Sequence, residues 1–439
     1  MLQQAKSCAE EDRYIGIIHV MNWTVLIIIL GLIASGKYRI DLVALSGLLF
    51  LGIISSISPE DIFSGFGHPA LITIISIFII SQGIVNSKAL HGLGQLIEKK
   101  VLSLKGQMFG LSLISSFLSA FMNNVGAVGL LLPTAVRMAD RKAIDRGVFG
   151  LPLVFASIIG GSMTLIGSAP NIIVASYMLS TTGQSFKMFD FAFHGLAMMI
   201  TALMIWLILT STGLMKDKVF NTTSQNSLEV NQQADDAHVE FAPFSTSAKK
   251  VTIIVVLITV LSVSTGFLHP ALGFGIAGLV LILSKVLDLQ EAYHAIDLKI
   301  VIFLGSMLGI GNILERTSSI GQLSDFLVQN IPPFNPLLLI ILLIFTSSAL
   351  SNSINNSAAA VFMAPLAVAF ADQTDLEIAA ALMATAAGAN LTLLLPTHQA
   401  ALMVQSKASF SPRTFLKIGV ILTFMLSLVA GVVIKMVWQ

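Results

Sequence analysis

The chain alternates between long apolar runs and short polar intervals. In the first half the runs fall at Ile17–Ser35, Ile40–Ile57 and Pro69–Asn86, and a polar amphipathic stretch, Lys88–Lys105, follows. Then come an apolar region interrupted in its middle, Gln107–Arg137, a second interrupted region, Gly147–Ser180, and a closing run, Phe193–Gly213. Lys216 to Lys250 holds nine charged residues in a Ser/Asn/Gln-rich background with no helical apolar stripe, which predicts a solvated linker. The second half repeats the layout: Val251–Gly266, Pro270–Leu287, Lys299–Leu314, amphipathic Ser318–Ile331, interrupted Pro336–Asp372, interrupted Glu377–Gln405 and Arg413–Val437. Runs this long and continuous predict membrane-spanning helices. A barrel would instead show alternating segments of about ten residues.

Composition narrows the class. Only 11% of the 439 residues are charged, against about 25% in an ordinary soluble domain, and the mean hydropathy is +0.88. A soluble fold cannot hide that much apolar surface, so the partner is the lipid bilayer. A soluble enzyme, a disordered regulator and a coiled coil are excluded. The single cysteine, Cys8, excludes an internal disulfide and a Cys-based metal site. Net charge is +1 with no basic tract, which argues against nucleic acid as a partner. No cleavable signal peptide is evident, and the first apolar run reads as a spanning helix.

The halves are related by residues as well as by hydropathy. Gly94-Gln95-Leu96 matches Gly321-Gln322-Leu323, Asn123-Asn124 matches Asn355-Asn356, and Thr164-Leu165 matches Thr392-Leu393, at offsets of 227, 232 and 228. Lys and Arg set orientation. Residues 86–147 hold eight of them, whereas the equivalent residues 314–377 hold only Arg316. The first region is therefore placed in the cytoplasm with the linker, and the second outside. These assignments agree if Gln107–Arg137 and Pro336–Asp372 are re-entrant hairpins. The predicted fold is then an all-α polytopic membrane protein of two inverted repeats, each with five crossings, one re-entrant hairpin and one broken helix. Its parts are a tail (1–14), a first repeat (15–215; hairpin 107–139, broken helix 147–180), the cytoplasmic linker (216–250) and a second repeat (251–439; hairpin 336–372, broken helix 377–405). Both termini fall outside.

Such an architecture predicts a secondary transporter with its site near the midplane. Four breaks are visible: Met122 to Gly126, Thr164 to Asn171, Ser353 to Ser357 and Leu395 to Gln399. A helix interrupted inside a membrane frees backbone groups that lipid cannot satisfy, so something must bind them. Asn and Ser suit N-caps, and Pro170 suits a first helical position. Four converging helix N-termini would offer on the order of two positive charges, matching a small anion. The carbonyls of the preceding half-helices suit Na⁺. No Asp, Glu, Lys or Arg stands in any break, unlike a carboxylate proton relay. The predicted substrate contacts are Asn123, Asn124, Ser168, Pro170, Asn171, Asn355, Asn356, Ser357, Thr397 and His398. No organic cofactor and no catalytic residue is expected. Plainer readings exist for each motif. A membrane Asn can be helix–helix glue, the Gly-Ser-Ala-Pro break a kink, and His398 a satisfied core histidine. Ala379–Ala389 reads as close helix packing, and the amphipathic stretches as interfacial helices.

At these motifs the chain resembles the divalent anion:sodium symporter family (the solute carrier 13 type) of the ion transporter superfamily. The likeness spans nearly the whole chain. Its most specific pieces are Gly160-Gly161-Ser162-Met163-Thr164-Leu165-Ile166-Gly167-Ser168-Ala169-Pro170-Asn171, and Gly388-Ala389-Asn390 continuing to Leu395-Pro396-Thr397-His398-Gln399. Among its branches it is most similar to the sulfate-permease-like one, with the linker in place of TrkA-C domains. The resemblance implies that Asn123 and Asn124 serve one cation site and the anion, that Asn355, Asn356 and Ser357 serve the symmetry-related site, and that the breaks at Gly167–Asn171 and Pro396–Gln399 complete both. The Na⁺ ligands it implies are Asn123, Asn124, Gly167, Asn355, Asn356, Ser357 and Pro396. It also implies a homodimer whose transport domain moves as an elevator. Val125 stands where the family usually has a hydroxyl residue, and Ala401 where related chains often carry Asn. The expected function is Na⁺-coupled symport of sulfate or a di- or tricarboxylate. A proton-driven arsenite- or citrate-type carrier, or an anion channel or uniporter, stays open.

Overall fold

The computed structural model describes residues 21–33, 35, 37–87, 92–101, 103–211, 246–317, 335–408 and 410–439. The predicted tail, the amphipathic stretch Ser318–Ile331 and most of the linker lie outside the described residues. Among those described, every regular element is helical. The first half contains α1 (Met21–Ile33), α2 (Ile40–Ile54), short α3 (Pro59–Ile62) running into a 3-10 turn (Phe63–Gly67), and α4 (Pro69–Asn86). It continues with α5 (Gly92–Lys100), α6 (Leu104–Ser119), α7 (Asn124–Arg141), α8 (Gly147–Gly161), α9 (Ala169–Thr182) and α10 (Ala192–Ser211). The second half contains α11 (Thr246–Ser264), α12 (Pro270–Leu283), short α13 (Leu289–Ala295) and α14 (Leu298–Arg316). After it come α15 (Pro336–Ser353), α16 (Asn356–Ala371), α17 (Ile378–Asn390), α18 (Gln399–Ala408) and α19 (Pro412–Trp438). The order of elements in α1–α4 recurs in α11–α14, and that of α6–α10 in α15–α19.

Local chemistry explains where these helices start. Ser103, Asn123, Asn335, Asn355 and Ser411 each stand just before a helix, and each side-chain oxygen accepts a hydrogen bond from a backbone N–H of the first turn. His68 and His269 do the same for α4 and α12, each through Nδ1 at 3.2 Å, ahead of the shared sequence Pro-Ala-Leu. One boundary differs from the sequence pattern. Helix α11 begins at Thr246, within residues assigned to the linker. Thr-Ser-Ala-Lys-Lys has no helix breaker, so the apolar run that follows extends its helix back over them.

Packing exchanges elements between the halves. Helix α2 lies against α14, and α12 lies against α4. The 3-10 turn also rests on α14, where a side chain at Gly65 would overlap the Gly305 carbonyl oxygen. Arg316 Nη2 pairs with Asp61 Oδ1 at 2.8 Å, and Asn312 Nδ2 donates to Ser64 Oγ at 2.8 Å. On the other exchanged corner, Asn86 Nδ2 donates to Glu291 Oε2 at 2.9 Å and ties α4 to α13. The second group of helices is built the same way. The hairpin α6–α7 packs on α8 and the hairpin α15–α16 on α17, while α16 crosses to α9 and α18 crosses to α7. Helix α8 is buried on all sides apart from Val148, and α17 is buried from Ala380 onward. Close approach is needed at mirrored places. Added side chains at Gly160 and Gly388 would run into the carbonyl oxygens of Ser116 and Ile344.

Candidate functional site

Four helices begin at one place. Helix α7 starts after the turn that closes the first hairpin, and α16 after the turn that closes the second. Helix α9 follows the break at residues 162–168, and α18 follows the break at residues 391–398. Their cap residues Asn123, Ser168, Asn355 and His398 all line one cavity of about 210 Å³. Asn124, Val125, Gly167, Asn356, Ser357, Thr397 and Gln399 line it too. The opposite wall is apolar and comes from other helices: Ile40 on α2, Ile74, Ile77 and Phe78 on α4, Ile300 and Phe303 on α14. Among the described residues, no Asp, Glu, Lys or Arg contributes to the lining. The positive field of the cavity is therefore made by backbone ends, which act strongly where water is scarce.

Two of the four caps are closed by an Asn side chain, while Ser168 makes no cap bond. Gly126 N–H donates to Asn123 Oδ1 at 2.6 Å and Ala358 N–H to Asn355 Oδ1 at 2.8 Å. Asn124 is held from two sides: Ser119 Oγ donates to its Oδ1 at 2.6 Å, and its Nδ2 lies 3.3 Å from His398 Nε2. Ser157 Oγ, on α8, supports the same corner by donating to the Asn124 carbonyl oxygen at 3.1 Å. His398 faces a second donor, the Ala400 N–H, 3.2 Å from Nδ1. A neutral imidazole has one accepting nitrogen, so only one of these two donors is served at a time. Two buried hydroxyls on the lining, Ser168 Oγ and Thr392 Oγ1, have no hydrogen-bond partner among the described residues. A buried orphan hydroxyl in lipid is costly, and a bound solute would satisfy it.

The structure gathers most of the residues singled out from the sequence and separates three of them. Asn123, Asn124, Gly167, Ser168, Asn355, Asn356, Ser357, Thr397 and His398 share the cavity, whereas Pro170, Asn171 and Pro396 do not line it. Pro170 sits within the first turn of α9, where its missing N–H costs nothing. Asn171 is fully buried and works inside the fold. Its Nδ2 donates to the Thr164 carbonyl at 2.7 Å and the Gly161 carbonyl at 3.3 Å, while its Oδ1 accepts from Asn390 Nδ2 at 2.7 Å. That last bond pins one broken helix to the other. The sequence reading left out Thr392, Gln399, Ser119 and Asn352. Thr392 was a repeat match, and that match was the available signal.

A family model described as citrate transporter matches residues 20–388. The chain belongs to this citrate transporter family. It is an integral, multi-pass membrane protein, and six described helices are long and apolar enough to cross a bilayer. This member of the family is 25% identical to the "46 kDa membrane protein" of Mycobacterium leprae over 418 residues, 90% of the chain and 92% of that protein. It is 28% identical to the "uncharacterized transporter YfbS" of Escherichia coli over 42% of the chain, but only 31% of YfbS is covered. Its fold is that of the YdaH transporter of Alcanivorax borkumensis, with a TM-score of 0.60 over 89% of this chain and 88% of that one, at 14% identity. MtrF of Neisseria gonorrhoeae superposes with a TM-score of 0.57, covering 96% and 94%, at 13% identity. The family is described as one of transporters, and YfbS is named a transporter too. The broad transporter class expected from the motifs is thus shown, while the matched model describes citrate transporters rather than a sulfate-permease-like branch.

Proposed function

We propose that the protein is a secondary active transporter that carries a small anion, citrate or another di- or tricarboxylate or sulfate, in symport with Na⁺. The observation that carries this reading is the meeting of four helix N-termini around one cavity that, among the described residues, holds no charged side chain. Fixed dipoles, amides and hydroxyls recognise negative charge there without an Arg clamp. The carbonyl oxygens that end α6 and α8 are neutral and hard, which suits Na⁺. The two halves are inverted repeats, each with five crossings and a re-entrant hairpin. The polar tips belong to one group of helices and the apolar wall to another, and this division supports an elevator in which the tips slide past α2, α4 and α14. The likeness to the sulfate-permease-like branch and the homodimer belong to the same reading.

A proton-driven citrate carrier is the second reading, favoured by His398 in the cavity. Uptake of labelled citrate, succinate and sulfate into proteoliposomes separates the two. The expected result is accumulation that collapses when the Na⁺ gradient is removed. Accumulation that follows an imposed pH gradient instead supports the proton carrier, and uptake indifferent to both gradients removes coupled transport altogether.

A further inference from the structure

A second cavity, of about 160 Å³, lies beside the first. Leu165 and Ile172 line it, and Ile172 also lines the tip cavity, so an apolar partition separates the two. Its other walls come from the starts of α4 and α12 and from the later turns of α9. Helix α11 leaves the linker and is long enough to cross, so the start of α12 stands on the face opposite the linker.

His68 and His269 both line this cavity. Each caps its helix through Nδ1, and the Nε2 of each has no hydrogen-bond partner among the described residues. A neutral imidazole carries one proton, and an accepting Nδ1 leaves that proton on Nε2. Both rings therefore bring an N–H donor to the cavity. Capping alone does not require a ring. Asn335 and Ser411 cap the same kind of start, before Pro336 and Pro412, by accepting from Leu337 N–H at 3.0 Å and Arg413 N–H at 3.2 Å. The imidazole adds a second nitrogen to the cap, and it does so at both starts that meet here. A metal ion would need the Nε2 lone pair, hence the other tautomer, and would cost both caps.

The α9 wall is complementary. Ser176 and Ser180 donate to the carbonyls of Ile172 and Tyr177 at 2.9 and 3.0 Å, so toward a ligand they offer lone pairs. Thr73 and Ser185 likewise spend their hydrogens on the carbonyls of Pro69 and Phe186. Among the described residues, no Asp, Glu, Lys or Arg lines the cavity. Donors on one wall and acceptors on the other suit a solute that carries both a carboxylate and an alcohol.

We propose that this cavity is a second binding site, for a hydroxycarboxylate, whose carboxylate accepts from the His68 and His269 imidazoles and whose hydroxyl donates to the serines of α9. The site is independent of the coupling ion. Melting temperatures of the full chain in nanodiscs test it, with citrate and with tricarballylate, which has the same carboxylates but no hydroxyl. Asn124→Ala, which disables the tip cavity, serves as the background. There, saturating citrate is expected to raise the melting temperature by about 3 °C, and tricarballylate by less than half as much. Adding His68→Asn and His269→Asn should remove the rise without lowering the ligand-free melting temperature, because Asn keeps the cap and drops the Nε2 donor. Adding His68→Gln and His269→Gln instead should lower the ligand-free value and keep most of the rise, because Gln carries its N–H group about as far out as Nε2. A rise that survives the Asn pair overturns the site, and equal rises with the two acids overturn the hydroxycarboxylate assignment. A rise in wild type that is absent from the Asn124→Ala background also overturns it and leaves the tip cavity intact as the citrate site.

Discussion

Asn123 and Asn355 cap their hairpins alike, each accepting from the backbone N–H three residues on, at 2.6 and 2.8 Å. One residue later the hairpins part. Asn124 is buried and gripped by Ser119, whereas Asn356 is half-buried and, among the described residues, bonds only the N–H of its neighbour Ser357, at 2.9 Å. The cause lies a turn earlier. Ser119 spends its hydroxyl on the Asn124 amide, but Ser351 spends its own on the backbone of α17, beside Asn352. Backbone layout repeats because caps and glycines repeat. Chemistry does not, because two or three small polar side chains are free to choose different partners within the same frame.

Substitutions can break this comparison at several depths. The largest effect is expected from Asn124→Ala and Asn356→Ala, each of which should abolish anion uptake into proteoliposomes. Normal uptake by either variant would remove that residue from the site. Next in size are Gly160→Val and Gly388→Val. Forcing α6 off α8, or α15 off α17, should cost about 3 kcal/mol each, read as a lowered melting temperature in detergent. Similar losses in the two variants would show that the mirrored contacts carry equal weight. Asn171→Ala should cost about 2 kcal/mol by leaving the Thr164 carbonyl and the Asn390 amide unpaired, with anion affinity unchanged because it lies outside the cavity lining. A shift in affinity larger than the shift in stability would reassign it to the substrate. The smallest effect belongs to the serine pair. Ser119→Ala and Ser351→Ala should each cost roughly 1 kcal/mol of stability, and anion uptake should fall further in the first, which releases Asn124. Equal responses would erase the difference between the junctions.

Much of this was legible in the chain. Polar, Gly and Pro clusters inside apolar runs betray a broken helix because lipid tolerates them nowhere else, and all four breaks carry such a cluster. The cap residues were visible for the same reason, since Asn and Ser before a helix have a local job. What stayed hidden is non-local or brief. Helices α3 and α13, of four and seven residues, are too short for any period to register. The crossing of α2 to α14 leaves no trace in either sequence. Asn352 looks like one more helix-interior Asn until the break it serves is brought alongside. Asn171 looks like a site residue because it closes a site motif, but its amide is consumed in holding the loop. Val125 does line the cavity, and Ala401 is fully buried in α18.

The exchange of helices between halves bears on how the protein is made. When a ribosome has threaded only as far as α10, the surfaces of α2, α4 and α9 that will meet α14, α12 and α16 have no mate and face lipid or a chaperone. Neither portion can be completed by itself, so assembly waits for the last stretch of synthesis. For the same reason, a gene cut within residues 216–245 and expressed as two pieces should yield a working carrier only when both pieces occupy the same membrane.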